Sequence, residues 1–569
     1  MTSQPSGETA STPALRVAWA ILILATLYIC YFSHLGVIGF VGPDEPRYAW
    51  VARDMAETGD WVTPRLYGKP WFEKPPLLYW GGAIFFKLFP TQPEIAARLT
   101  SAICALLATL ALAWLAWRAD GEECARWLLL LLPTSVGMIG FSHAAATDMP
   151  FAGMLTIAMV CAAVVLGLTR NESTPILPRT PWLTLLLFGF FLALAVLAKG
   201  PAAIILSGGA IFFWAIFTKR WRDAFRLLHP ATIASFCVTA LPWYMLCARR
   251  NPDFFRIFII EHNFKRYLTP EFQHVQPFWY YAAVLLAAFL PWTFALLGAI
   301  IFGAQKLQRD RRVAPLTILI LCWALFCVLF FSISKSKLPG YILPAFPAIA
   351  LLLAMLCRNA RTLNSRLLSF FAALATVIFC LAAGALAIVG HSLAHTSPTN
   401  ERAAIAGSIF LFLFAVANFF LCLAISRASG LKSEMRIGYA AGTIAPVLVG
   451  ILLVTRLVPN FFPTDPSGKT IAAELSARGV SPPRLLLHGM NRGTHFSLNF
   501  YLKQEIPDWD TANTREGYLL LGGRGCLGVV GESFTCSEPP TYFEESQRYL
   551  YRVAAKTSLD RPAGGRQPQ

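Results

Sequence analysis

The chain has 569 residues, of which 56% are hydrophobic and only 14% are charged, and its mean hydropathy is +0.54. A soluble protein carries roughly a quarter charged residues. Here the apolar residues come in runs of about twenty, the length that spans a bilayer. The composition therefore excludes an ordinary soluble protein and predicts a polytopic membrane protein.

The net charge of +17 does not indicate a nucleic-acid-binding protein. Most of the excess positive charge lies in short loops between apolar runs, where Lys and Arg set the orientation of a membrane protein. Anionic lipid at the cytoplasmic face accounts for this charge without a polyanionic partner.

Thirteen membrane spans are predicted, after a Ser/Thr/Pro-rich N-terminus at 1–13 that we expect to be disordered. The first lacks a small-residue cleavage site, so it is interpreted as an uncleaved span and not as a signal peptide. The predicted spans lie at about 15–35, 95–117, 127–145, 149–169, 182–198, 202–218, 231–248, 277–302, 314–333, 342–357, 367–391, 404–425 and 437–457.

With a cytoplasmic N-terminus, six basic loops all face the cytoplasm, as the positive-inside rule requires. We therefore predict an all-α transmembrane domain at 14–457, with a first periplasmic loop at 43–90, and a small periplasmic α/β domain at 458–569. In that tail we expect a helix at 466–477 and strands at 484–488, 517–521 and 548–553. Cys526 and Cys536 are its one candidate disulfide, and the sequence leaves their pairing open.

The richest stretch of the chain is VGPDEPRYAWVARDMAETGDWVTPRLYGKPWFEKPPLLYW, residues 41–80. Its mixture of charges and aromatic rings is typical of a membrane–water interface. The pattern predicts an interfacial helix capped by Asp44, with Pro46 in its first turn and Gly59 just past its end. Such a helix would hold Asp44 and Glu45 at the mouth of a membrane-embedded cavity.

A second acid, Asp148 in ATDMP, lies at the predicted outer end of a span. It could cap its helix, but a carboxylate within a membrane is costly and is a functional hypothesis by default. Two acids on the same membrane face favour a catalytic role for both.

Basic side chains accompany these acids. Glu73-Lys74 is either a neutralised pair or a phosphate-facing lysine beside an acid. Lys199 in LAKGP has no acid close by in sequence, so an anionic ligand explains it better than snorkelling does. The outer loops at 249–276 and 334–341 add further cations, and lysine and arginine around one cavity suit phosphate recognition.

His262 beside Glu261 is either a metal ligand or simply hydrogen-bonded.

Between about residues 40 and 345 the chain contains, in this order, the motifs DEPRYAWVARDM, GDWVTPRLYGKPWFEKPPLLYW, ATDMP, LAKGP, EHNFKRY and SKSKLPGYILP. The six motifs and their order resemble those of bacterial GT-C glycosyltransferases of the dolichyl-phosphate-mannose mannosyltransferase-like group. Within that group they are most similar to the transferases that move 4-amino-4-deoxy-L-arabinose from undecaprenyl phosphate to lipid A.

The resemblance implies roles for particular residues. Asp44, Glu45 and Asp148 would be catalytic, and Glu73 with His262 could bind a divalent cation, the one cofactor implied. The donor phosphate would be held by Lys74, Arg266 and Tyr341, with Lys199 adding positive charge.

The resemblance also implies partners and a location. We expect a monomer in the bacterial inner membrane that binds an undecaprenyl phosphate-linked sugar and lipid A or another periplasmic acceptor. Galactosamine, galacturonic acid or mannose as the sugar, and a protein or another glycan as the acceptor, remain alternatives. A transporter or flippase for lipid-linked sugars ranks lower, because transporters place charges near the midplane and show inverted repeats.

Overall fold

The computed structural model describes residues 12–169, 182–265, 268, 275–309, 313–359, 365–393, 398–427, 433–461, 467–512, 516–521, 525–530, 533–537, 539–543 and 548–555. The predicted disorder at 1–11 and the predicted phosphate contact of Arg266 lie outside these residues, whereas Pro13, at the end of the segment predicted to be disordered, begins the first helix.

The described part is mainly helical. The α-helices are α1 Pro13–Tyr31, α2 Asp44–Thr58, α3 Leu77–Leu88, α4 Pro93–Asp120, α5 Glu122–Leu131, α6 Val136–Ser142, α7 Asp148–Val165, α8 Trp182–Lys199, α9 Ala202–Thr218, α10 Trp221–Phe225, α11 Pro230–Arg250, α12 Tyr280–Ala288, α13 Thr293–Arg309, α14 Pro315–Ile333, α15 Phe346–Asn359, α16 Ser365–Leu393, α17 Pro398–Ser426, α18 Ser433–Phe461, α19 Lys469–Ala477, α20 Arg492–Tyr501 and α21 Cys526–Val530. A π-helical segment, Arg256–Lys265, follows α11, and a 3₁₀ segment, Pro339–Ala345, leads into α15.

The predicted spans agree with this architecture. Among the described residues, ten helices are long and apolar enough to cross a membrane, and two bent pairs, α5 with α6 and α12 with α13, raise the number to 12. The shorter apolar helix α9 coincides with the remaining predicted span.

Helix α7 lies at the centre of the bundle. It is apolar around its whole circumference and almost completely buried, as expected of a helix enclosed by others. It packs against α4 and α8. Because α7 begins at Asp148, this packing fixes the position of that acid.

The segment between α1 and α4, residues 32–92, is called the first loop here. It contains α2, α3 and a hairpin of strands β1 (Arg65–Leu66) and β2 (Lys69–Pro70). Its two turn residues, Tyr67 and Gly68, have φ of 53° and 78°, the combination that a tight two-residue hairpin turn needs.

Helix α2 matches the predicted helix, ending at Gly59 with φ 74°. Tyr48, Val51 and Met55, on one face of this helix, pack in one cluster with side chains of α3. The interfacial position of the helix stays a prediction. Asp44 does not cap the helix: it is the first helical residue, and no side-chain cap hydrogen bond forms.

The C-terminal part is a small α/β unit, as predicted. Strands β3 (Leu485–His488) and β4 (Gly517–Leu521) pair in parallel, and β7 (Arg548–Ala555) pairs antiparallel with β4, β5 (Phe534–Cys536) and β6 (Thr541–Phe543). Cys526 and Cys536 form a disulfide. Helix α20 was not predicted, and it packs against α2.

Candidate active site

Asp44 forms an ion pair with Arg47, one turn along α2, and its side chain is 48% exposed. Arg47 is buried and holds three acceptors. Its Nε donates to the carbonyl of Pro43 at 2.7 Å and its Nη1 to Oε2 of Glu73 at 3.3 Å, while Nη2 donates to Asp44. Arg47 therefore joins the two acids of the first loop.

Electrostatics favour the charged form of Arg47. Burial lowers the pKa of its guanidinium, but Glu73 and Asp44 raise it by more. The ring centroids of Trp71 and Phe496 lie 5.3 and 5.1 Å from its Cζ, which adds cation–π contact. Sequence reasoning overlooked Arg47, although its three-residue spacing from Asp44 on a helix was a usable signal.

Lys74 lies beside one of these two acids, Glu73. Its Nζ is 3.9 Å from Oε1 of Glu73, and both side chains are largely buried. Tyr48 also lies near these acids. Burial, Glu73 and Asp44 raise the pKa of its phenol. The tyrosine therefore stays protonated at neutral pH and can only donate its proton to an anion or accept from a donor.

Glu45 is committed to a buried network with Arg98 of α4. Its Oε1 accepts from Nε of Arg98 at 3.0 Å and its Oε2 from Nη2 at 2.8 Å, while the N–H of Val41 donates to Oε2 at 3.1 Å. Arg98 also donates to the carbonyls of Leu35, Ile38 and Gly39. The pair ties the start of the first loop to a span.

This geometry favours a positioning role for Glu45, since both of its oxygens already accept hydrogen bonds; its predicted catalytic role stays a prediction. Arg98, only 5% exposed, was missed. An arginine inside the apolar segment 95–117 was the signal that could have revealed it, because ionisable residues in spans are rare and paired.

The second acid pairs with Lys199. The Nζ of Lys199, at the end of α8, lies 2.6 Å from Oδ1 of Asp148, at the start of α7, and the two side chains are 10% and 19% exposed. This corrects the argument that no acid neutralises Lys199, because the acid is 51 residues away in sequence. The ring of Tyr341 covers the ammonium at 4.5 Å.

Gly340 allows this close packing. A Cβ at that position would lie 2.3 Å from Oδ1 of Asp148, so any side chain would push the acid away. The 3₁₀ segment therefore closes directly over the Asp148–Lys199 pair, and the SKSKLPGYILP motif contributes through both Gly340 and Tyr341.

A hydrogen bond links the region of Asp44 and Glu45 with the region of Asp148 and Lys199. The N–H of Ala145, three residues before Asp148, donates to Oε1 of Glu45 at 2.8 Å. Phe72 of the first loop and Leu197 of α8 also share an apolar cluster with Phe254 and Phe258. The motifs that are distant in sequence thus meet around one region.

His262 lies in the π-helical segment, and its assignment with Glu73 as a metal ligand stays a prediction. Two cations, Arg47 and Lys74, already neighbour Glu73, an arrangement that suits an anionic ligand better than a divalent cation. Among the described residues, His488, Asp508 and Asp510 do bring ligand atoms within 4.8 Å of one another, but they belong to the α/β unit.

Comparisons with known proteins give this arrangement a context. The dolichyl-phosphate-mannose-protein mannosyltransferase family matches residues 17–258. The crystal structure of ArnT from Cupriavidus metallidurans bound to undecaprenyl phosphate superimposes with a TM-score of 0.74 at 23% identity, over 96% of this chain and 100% of that one. This likeness shows that the two chains share one fold, that of a multi-pass membrane protein.

Three relatives carry the name undecaprenyl phosphate-alpha-4-amino-4-deoxy-L-arabinose arabinosyl transferase. Those of Erwinia tasmaniensis, Aeromonas salmonicida and Serratia proteamaculans are 32%, 29% and 31% identical over 59%, 92% and 71% of this chain. The matches span 59%, 96% and 72% of the relatives' own lengths. With this identity and coverage in the Serratia relative, the chain belongs to the family of these arabinosyl transferases.

Proposed function

We propose that this protein transfers 4-amino-4-deoxy-L-arabinose from undecaprenyl phosphate to a phosphate of lipid A. The donor is supported by the name that the relatives share and by the undecaprenyl phosphate bound to the ArnT structure. The membrane helices supply the apolar surroundings that a polyprenyl chain needs.

The observation that carries the proposal is the hydrogen bond from Ala145 to Glu45. This contact holds the turn before Asp148 against the residue that follows Asp44. It supports a single site that includes the half-exposed acid Asp44 and the Asp148–Lys199 pair under Tyr341, as a transferase for a charged, lipid-carried donor requires. A transporter would instead distribute its charges near the membrane midplane.

The donor phosphate lies against Lys74, Lys199 and Tyr341 in this proposal, with Arg266 as a further contact. Lys74 has Glu73 as a neighbouring carboxylate, and Lys199 has Asp148. In the proposal these carboxylates orient the two ammonium groups, and an ammonium with three N–H donors can contact a carboxylate and a phosphate together. Cations held in place before the reaction stabilise the departing phosphate more than mobile ones do.

The reaction forms a bond between C1 of the sugar and an oxygen of the lipid A phosphate, and it breaks the bond between C1 and the undecaprenyl phosphate oxygen. The bonding electron pair leaves with that phosphate. Positive charge develops on the sugar, as in other glycoside chemistry, and the half-exposed carboxylate of Asp44 stabilises it. A phosphate acceptor is already ionised at neutral pH, so no general base is needed.

The proposal includes an orientation, with the N-terminus in the cytoplasm and the α/β unit in the periplasm. The basic loops support it through the positive-inside rule. The sugar must then come from a lipid carrier that has already crossed the inner membrane.

Mass spectrometry of lipid A from cells with and without the protein tests the function. We expect an added aminopentose mass with the wild type, and Asp44→Asn to lower transfer by about a hundredfold or more, since the loss of a charged group that acts on the transition state has effects of that size. Glu57→Gln, which removes an exposed acid from the same helix, is the matched control. Unchanged lipid A together with an altered glycoprotein or polysaccharide would refute the acceptor, and full activity in Asp44→Asn would refute its role.

A further inference from the structure

Two guanidinium groups share one aromatic ring beside Asp44. The ring centroid of Phe496, in α20, lies 5.1 Å from Cζ of Arg47 and 5.5 Å from Cζ of Arg492. The two arginines are therefore no further apart than these two distances together. Arg47 is buried against Asp44 and Glu73, whereas Arg492 is exposed.

The backbone confirms that Arg492 lies next to the start of α2. A Cβ on Gly493 would lie 3.1 Å from Cα of Gly42, two residues before Asp44. The first turn of α20 is fixed by Asn491, whose side chain accepts a hydrogen bond from the N–H of Thr494 at 2.8 Å. Arg492 thus extends from a rigid helix end at the edge of the site.

The other cations of this region already have acidic partners. Arg47 pairs with Asp44 and Glu73, Lys74 with Glu73, and Lys199 with Asp148. Within the described ranges of the chain, no carboxylate lies at ion-pairing distance from the guanidinium of Arg492. Its contact with Phe496 orients the planar group without neutralising it.

We propose that Arg492 binds the phosphate of the acceptor. The inference rests on the proposed function, in which the acceptor is a phosphate that must approach the sugar at Asp44. Arg47 and Lys74 offset the charges of Asp44 and Glu73, so the acceptor phosphate gains a net attraction from a further cation on its own side. A guanidinium binds phosphate through two parallel N–H donors, and Arg492 presents those donors at the exposed side of the site. The α/β unit thereby supplies part of the acceptor site.

The test measures initial rates with the full-length purified protein, undecaprenyl phosphate-linked aminoarabinose and lipid A. We expect Arg492→Ala to raise KM for lipid A about five- to tenfold, the loss of one charge-assisted contact at an exposed site, with kcat and the donor KM unchanged. Arg492→Lys should give a KM for lipid A between those of the wild type and of Arg492→Ala, because lysine keeps the charge but loses the two parallel N–H donors.

Arg478→Ala is the matched control. Arg478 is also an exposed arginine of the α/β unit stacked on a ring, that of Phe543 at 4.5 Å, and its removal should leave KM for lipid A unchanged. An unchanged acceptor KM in Arg492→Ala, or an equal rise in Arg478→Ala or in the donor KM, would overturn the inference.

A binding measurement separates this inference from the proposed function. Wild-type protein should bind lipid A more tightly than enzymatically dephosphorylated lipid A, and Arg492→Ala should lose most of that preference. Absence of the preference in the wild type, or its persistence in the variant, overturns the role of Arg492. Failure of the wild type to add sugar to lipid A counts against the function alone, and the binding result still decides on Arg492.

Discussion

Asp44 and Asp148 each begin a helix and each pair with one cation, but their surroundings differ. Asp44 is 48% exposed and shares its arginine with a second acid, Glu73. Asp148 is 19% exposed, has Lys199 at 2.6 Å and is covered by the 3₁₀ segment at Gly340. In the proposed function, this difference suits Asp44 to meet a substrate and Asp148 to orient a lysine.

The strongest test of this contrast removes the cation of the Asp44 group. Arg47→Met leaves Asp44 and Glu73 without the group that holds them together, so both carboxylates repel each other and the incoming phosphate. We expect kcat to fall by about a hundredfold or more, the effect of losing a preorganised charged group. Rates measured at saturating donor and acceptor check this.

Arg53→Met provides the comparison for Arg47→Met. Arg53 lies on the same helix and stacks on Trp50 and Phe500 at 4.6 and 4.2 Å, but it does not contact Asp44 or Glu73 in the described structure. A loss of kcat in Arg53→Met as large as in Arg47→Met would mean that packing of α2, and not the acid network, sets the rate.

A smaller effect is expected at the second acid. Lys199→Met leaves Asp148 partly buried without its cation and removes one of two lysines from the donor phosphate. We expect kcat to fall by about tenfold and the protein to lose about 2 kcal/mol of stability, the scale of removing one partner of a partly buried pair.

The double variant Asp148→Asn/Lys199→Met separates the two losses. It removes the isolated charge and should regain most of the thermal stability in detergent, while transfer stays low because the lysine is still missing. Recovery of transfer along with stability would show that Lys199 serves the fold only, and the contrast between the two acids would then disappear.

Local patterns in the sequence predict much of the architecture. The spans follow from apolar length, and α2 follows from Pro46 and Gly59 at its two ends. The C-terminal strands β3, β4 and β7 follow from short apolar runs. Helix α20 was not predicted, because RGTHFSLNFY is short and lacks a clear apolar stripe, although Asn491 is a good N-terminal signal.

The partners of the charged residues could not be predicted in the same way. Lys199 and Asp148, Glu45 and Arg98, or Arg47 and Phe496 meet only after the helices have packed, because they are 51, 53 and 449 residues apart. Sequence reasoning identified Asp44, Lys74 and Asp148 as chemically unusual. It could not tell which cation each acid would take, and it therefore treated Lys199 as lacking an acid.

The smallest expected effect concerns Asp60, which holds the first loop against Arg250 of α11. Helix α11 packs against α8, the helix that ends at Lys199. Asp60 accepts hydrogen bonds from the N–H groups of Val62 and Thr63 and pairs with Arg65 and Arg250 at 3.3 and 3.1 Å. Burial raises the pKa of Asp60, but these hydrogen bonds and cations lower it by more, so its pKa lies below the usual value.

A depressed carboxyl pKa stabilises the folded state above the unfolded pKa, and the stabilisation is lost as the pH falls through the folded value. Asp60→Asn should therefore lower Tm in detergent by a few degrees at pH 7, with the difference from wild type shrinking below about pH 4. Asp54, on α2, gives the opposite case, since burial raises the pKa of its carboxyl. Asp54→Asn should leave Tm unchanged or raise it slightly at pH 7. If both variants lowered Tm equally at every pH, the charge of Asp60 would not hold the first loop against α11.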